Sequence, residues 1–330
     1  VFTHYDPVRK QAATKSGRLP ELSSLAERVI DDEGSVFSED PLLRSGRDSS
    51  LANVAARQLV KISLYQTEAT PEETANVFTL LLSKLEAADA NVKSDAAERL
   101  FKRGLELDEN DQYDAAIEHL SACRNLVPPS AWRPHFHLGM AYVHQGDPLG
   151  AIVHLENAAD SIRSMDSQAN AAGAMLQHNQ YKAAVLDELA KQLGLAGDGL
   201  SCVAVRREMV ELFPEFASPH ANLGAALYLA GDEQAAEAAF LQAVSLDDSD
   251  KTRRFIEESK KSMDAAPRAN LQRAAADRLV KTANLRELDG DFSGAEADLR
   301  KAATLMTDSP DAQSFHDHIQ AFLLRLPKGE

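Results

Sequence analysis

Hydrophobic residues return along this chain with a helical period and almost never with the alternation of a strand. Leu51, Val54, Ala55, Leu59 and Ile62 fall on one helix face. A second helix is predicted from Thr70-Pro71, where Thr70 caps, Pro71 suits the first turn and Glu73 completes a capping box. Ahead of these, residues 1–48 contain one predicted helix, Pro20 to Asp31, and otherwise read as a partly extended arm that is loosely held or wraps a neighbour. Residues 49–94 form an N-terminal helical segment, 95–310 a repeat domain, and 311–330 a terminal helix and tail. In the last of these, Phe315, Ile319, Phe322, Leu323 and Leu326 share one face, as a helix covering an open end requires.

From Ala97 the pattern repeats itself. Ala97–Pro128, Trp132–Arg163 and Ala217–Asp248 align without gaps, a fourth copy runs over Ala276–Thr307, and a degenerate one over Ala183–Pro214. With their flanks these are repeats near 97–130, 132–165, 183–216, 217–250 and 276–309. The eighth position holds Gly104, Gly139, Gly224 and Ala283, and the twentieth Ala116, Ala151, Ala236 and Ala295. Small side chains there let two antiparallel helices approach closely. Large knobs come at the twenty-fourth position (Leu120, Leu155, Phe240, Leu299), and small residues again at the twenty-seventh (Cys123, Ala158, Ala243, Ala302). In the degenerate copy Arg206 stands where a large apolar knob belongs.

The break between the helices is as regular: Gly146-Asp147, Gly197-Asp198, Gly231-Asp232 and Gly290-Asp291. Glycine supplies the left-handed residue that ends one helix, and aspartate caps the next. The first copy has Asp111-Gln112 instead. Between copies, Ser161–Lys182 lengthens a helix and Asp250–Arg273 inserts an extra one, locally basic through Lys251, Arg253, Arg254, Lys260 and Lys261.

The copies resemble tetratricopeptide repeats, helix–turn–helix units of about 34 residues. The likeness is clearest in HANLGAALYLAGDEQAAEAAFLQAVSL (His220–Leu246) and HFHLGMAYVHQGDPLGAIVHLENA (His135–Ala158). The tryptophan usual near the start is replaced by Leu100, His135, His220 and Leu279. The resemblance implies an all-α, right-handed superhelical solenoid of helix hairpins with a C-terminal capping helix. It also implies a concave groove, lined by the first helix of each hairpin, that takes a peptide or helix of a partner protein.

Carried over position by position, that lining would be Phe101 and Leu105 in the first copy, flanked by Glu98 and Asp108. The second would offer Arg133, Phe136 and Met140, with His137 and His144 on the same helix. Tyr228 would follow in the third and Asn284 in the fourth. The family's carboxylate clamp needs asparagines where this chain has Leu105, Met140 and Ala225, and only Asn284 matches. No binding of chaperone-type acidic C-terminal peptides is therefore expected. An apolar lining is also what a groove partly filled by the N-terminal helices would show.

Composition narrows the function. With 51 acidic against 35 basic residues the net charge is −16, which repels phosphate backbones and anionic membrane surfaces. No apolar run approaches the ~18 residues of a membrane span. The two cysteines, Cys123 and Cys202, have no metal-ligand spacing, and Cys123 sits at a small-residue packing position. His135 and His137, like His316 and His318, are two residues apart and point to different helix faces, so neither pair chelates a metal directly. G-x-x-x-x-G-K-[ST], H-E-x-x-H and G-x-S-x-G are all absent.

The expectation is a non-catalytic adaptor without cofactor or metal. The alternatives are an assembly subunit of a large, organellar complex, the accessory repeats of a transferase, and a helical-repeat RNA binder. The start at Val1 and the basic stretch Arg9, Lys10, Lys15, Arg18 fit a chain processed behind a transit peptide, and equally an ordinary solvated arm in the cytoplasm.

Overall fold

A computed structural model describes residues 90–128, 130–166, 172–264, 271–306 and 312–326. The N-terminal arm and the helices expected over 51–85 lie outside the described residues. Twelve helices and no strand are present among the described residues. The chain divides into two compact units, 1–145 and 146–330.

In the first unit, α1 (Ala90–Glu109) and α2 (Tyr113–Leu126) form a hairpin, and α3 (Trp132–Gln145) packs on α2. Leu107, Ala116, Leu120, Leu138 and Ala141 form its core, with Phe101, Ile117 and Tyr142 against it. Gly104 is required by distance: a Cβ there would stand 2.7 Å from Leu120 Cγ. The turn lacking glycine adopts the same geometry, since Asp111 takes φ 59°. Aspartate tolerates that left-handed region better than most side chains. The Gln112 N–H then closes the turn on Leu107 O at 2.9 Å, although Gln112 offers α2 no side-chain cap.

The second unit opens with α4 (Pro148–Ser164) and the long α5 (Ala172–Leu195). Next come α6 (Gly199–Leu212), α7 (Ala217–Leu229), α8 (Glu233–Leu246) and the inserted α9 (Asp250–Asp264). The last three helices are α10 (Leu271–Leu288), α11 (Phe292–Leu305) and α12 (Ala312–Arg325). Gly197, Gly231 and Gly290 take φ of 77°, 79° and 77°, and the aspartate after each caps the next helix through Ser201 N, Ala235 N and Gly294 N. Gly146, at φ 85°, precedes Asp147, which accepts from Leu149 N and Gly150 N.

The small and large columns meet as close packing demands. A Cβ on Gly224 would stand 2.5 Å from Phe240 Cδ1, while Ala151, Ala236 and Ala295 are all fully buried. In the degenerate hairpin, Cys202 fills the alanine position and its thiol donates to Ala190 O at 3.3 Å. Arg206 fills the knob position, buried, by pairing with Asp187 of the facing helix.

Neighbouring helices pack in chain order from α4 to α8, and α9, whose Ile256 is buried, packs on α7. The last hairpin does not continue that order. Helix α10 packs across α4 and α6, second helices of their hairpins, while Phe315, Ile319, Phe322 and Leu326 of the terminal segment close the α10–α11 core.

Candidate functional site

On α1 and α3 the first-helix positions of two successive hairpins come together. The His137 imidazole stands edge-on to two phenyl rings, Phe101 at 5.2 Å and Phe136 at 5.3 Å between centroids. Trp132 lies 6.2 Å beyond Phe136, and the exposed Arg133 guanidinium stands 5.9 Å from the indole. Phe101, Leu105, Phe136 and Met140 are half-buried. Burial between the rings pushes the His137 pKa down, aided by Arg133 and opposed by Asp108. Its surroundings thus favour the uncharged imidazole. One turn along α3 from Met140, His144 Nδ1 meets Asp108 Oδ1 at 2.9 Å and its ring lies 5.8 Å from Tyr113.

The corresponding positions of the second unit are engaged differently. Tyr228 is half-buried on α7, the helix against which α9 packs, and Ala221, two turns earlier on the same face, is buried. Asn284 donates to Val280 O and accepts from Arg325 Nη2 at 3.1 Å, while Glu287 accepts from the same nitrogen at 2.9 Å. The terminal helix thus holds Asn284, the groove-position residue of α10, together with Glu287 one turn on.

A polar constellation that the repeat alignment does not foretell lies where α10 meets α4 and α6. Arg278 donates from Nε and Nη2 to Asp198 Oδ2 at 3.0 and 2.8 Å, and from Nη1 to Glu156 Oε1 at 3.0 Å. Arg286 donates to Glu156 Oε2 at 2.7 Å, Asn157 Oδ1 at 2.7 Å, Asp291 Oδ2 at 2.9 Å and Asp298 Oδ2 at 3.1 Å. Thr282 Oγ1 donates to the same Asp298 oxygen at 2.8 Å. Burial pushes the Asp298 carboxyl up, with Arg286 beside it pulling the other way. The one signal in the sequence is a broken column: Arg286 takes the place of Leu107, Tyr142, Leu193 and Leu227 in the other copies.

A cavity of about 640 Å³ adjoins this network, with Leu189, Leu193 and Val205 among its apolar lining and Arg163 and Glu208 among its polar lining. Glu208 accepts from Arg163 at 2.8 Å and from Lys182 at 2.9 Å, and Asp166 accepts from Lys182 and His178. Burial works against the ionised Glu208, but Arg163 and Lys182 outweigh it and hold the carboxyl below its usual range.

Among the described residues no three His, Cys, Asp or Glu side chains converge as a metal site would require. Nor is any described helix long and apolar enough to cross a membrane. Cys123 is a packing residue whose thiol burial pushes up to about 12.

Residues 217–250 match the family described as Tetratricopeptide repeat. No curated protein matches the chain. Solved structures similar to it include YrrB, described as a TPR protein with an unusual peptide-binding site. It is 14% identical over 74% of this chain and 99% of that one, with TM-score 0.37. MamA is 17% identical over 66% and 97%, TM-score 0.36. Acl4, an assembly chaperone of RpL4, is 13% identical over 77% and 97%, TM-score 0.35. The family match falls on α7 and α8, so the glycine-hinged hairpin at residues 217–250 is a tetratricopeptide repeat within a chain that is all-helical among the described residues.

Proposed function

We propose that this chain is a non-catalytic scaffold that holds a segment of a partner protein against the face shared by α1 and α3. One observation carries the reading: the half-buried row Phe101–His137–Phe136–Trp132, an aromatic surface with an imidazole in its middle. Aromatic side chains and arginine concentrate at protein interfaces, because they bury large areas at small conformational cost and keep a polar edge. Leu105 and Met140 extend the apolar part, and Arg133 and His144 supply polar margins. The partner is a segment that presents apolar or aromatic side chains, with no carboxylate clamp to hold its terminus. Nucleic acid and anionic membranes stay outside this reading because of the charge of −16.

Full-length wild-type chain and Met140→Glu would be used as parallel baits, and the protein lost selectively from the variant purified for titration. Its affinity for Met140→Glu should fall about tenfold or more while the thermal melt stays unchanged. Equal affinity for both chains would remove the α1–α3 face from consideration.

A further inference from the structure

The cleft of 640 Å³ is walled mainly by α4, α6 and α11, the second helices of their hairpins, and lies wholly within residues 146–330. Its floor is closed: Leu189, Leu193 and Val205 are 2%, 1% and 7% exposed. Its rim is open, with Asp160, Leu200, Ala204, Ser293, Ala297 and Lys301 all exposed. On α11 the lining recurs every fourth residue, Ser293, Ala297, Lys301 and Leu305, so that wall is about 18 Å long.

The charge in the cleft is unequal. Glu156, Asp160, Glu208, Asp291 and Asp298 line it against Arg163, Arg286 and Lys301. Arg163 is held by Asp160 and Glu208, and Arg286 by Glu156, Asp291 and Asp298. Asp298, 8% exposed, is the carboxylate left incomplete. Its Oδ2 accepts from both Thr282 Oγ1 and Arg286 Nε, whereas Oδ1 accepts from no described residue and is not sealed from solvent. A nearly buried carboxylate oxygen without a donor costs free energy until one arrives. Burial pushes this carboxyl up against the pull of Arg286, and a second cation beside it would relieve that cost.

We propose that the cleft binds an extended basic segment of a partner protein, a lysine or arginine reaching Asp298 Oδ1 and a neighbouring apolar side chain lying on Leu193 and Val205. The length of the α11 wall fits about five residues of extended chain. A small polyamine would meet the carboxylates but leave the apolar floor uncovered. This site uses no residue of the α1–α3 face, so its failure and the failure of that face are separate results.

Two fluorescently labelled heptapeptides, one alternating leucine with lysine and the other leucine with glutamate, are titrated with the full chain and followed by anisotropy. The leucine–lysine peptide should bind below about 100 μM and the leucine–glutamate peptide should not. Lys301→Glu changes the charge at the rim and should tighten the leucine–lysine peptide about tenfold. Lys251→Glu makes the same change on α9, outside the cleft lining, and should alter the affinity by less than about twofold. Ala297→Arg plants a cation in the mouth and should weaken binding about tenfold or more. Both cleft substitutions are at exposed positions; should Ala297→Arg nevertheless fail to fold, Lys301→Glu against Lys251→Glu decides alone. No binding of the leucine–lysine peptide to the wild type overturns the proposal, as does equal tightening by Lys301→Glu and Lys251→Glu, which would mean that only net charge is read. Full displacement of the peptide by an equal concentration of spermine would also overturn it, assigning the cleft to a small polyamine.

Discussion

A Cβ on Gly224 would stand 2.5 Å from Cδ1 and 2.6 Å from Cε1 of the Phe240 ring, closer than any real side chain tolerates. Gly224→Ala sets two effects against each other. Alanine favours a helix interior by about 1 kcal/mol over glycine, while forcing a methyl into a close-packed core costs about 1–3 kcal/mol. Phe240 is 2% exposed and a ring yields little, so the clash wins. The variant should melt several degrees lower; a higher melt would mean that α7 and α8 do not cross at this residue.

Two aspartates at equivalent turns should differ sharply. Asp232 caps α8 through Ala235 N on the surface, and Asp232→Ala should cost about 1 kcal/mol. Asp198 caps α6 in the same way but is fully enclosed and also receives two hydrogen bonds from Arg278. Asp198→Ala leaves that guanidinium buried with one carboxylate partner fewer, and should cost about 3–5 kcal/mol. Urea midpoints of the two variants, measured side by side, check the ranking.

Acid should loosen the second unit through Glu208 and Asp187. Burial disfavours both ionised carboxyls, but Arg163 and Lys182 hold Glu208 below its ordinary value, and Arg206 and Lys191 do the same for Asp187. A carboxyl whose folded value is lowered stabilises the fold fully above its unfolded value and loses that contribution as pH falls through the folded one. Melting temperature should therefore decline below about pH 4.5, with a flatter decline and a lower neutral-pH melt in Glu208→Gln. A variant whose melt tracks the wild type at every pH would show that Glu208 carries none of this.

Thiol chemistry gives an inexpensive test of burial. Cys123 is 2% exposed with its thiol pushed up to about 12, and Cys202 is 6% exposed and also raised, mainly by burial. Neither should react with a neutral aromatic disulfide at pH 8 over minutes, and both should react at once in denaturant. Rapid labelling of Cys123 in the native chain would contradict its place between α2 and its neighbours.

The hairpins were legible because their signals are local. Glycine followed by aspartate writes a left-handed stop and a cap into adjacent residues, and the contact of Gly104 with Leu120 spans only 16 positions. Even the exception obeyed the same physics, Asp111 supplying the left-handed residue that glycine supplies elsewhere. The docking of α10 on α4 was not legible, because Arg286 and Glu156 are 130 residues apart and nothing in either segment alone says that they pair. Arg286 in an otherwise apolar column marked a buried cation without naming its anion. On the candidate face, the alignment brought Phe101, Phe136 and Met140 to related positions but left out the interleaving of His137 between two rings, which depends on side-chain rotamers rather than on period.

The crossing of α10 over α4 and α6 also bears on how this protein can change in length. An open row of hairpins tolerates duplication of a unit, since each touches only its neighbours. Here a hairpin duplicated between α6 and α10 would carry the attachment point of the final helices away by about 10 Å, one helix diameter. Arg278 and Arg286 would then no longer reach Glu156. Copy number within residues 146–330 is set by geometry, and gain or loss of a unit should be met with misassembly rather than with a longer or shorter version of the same protein.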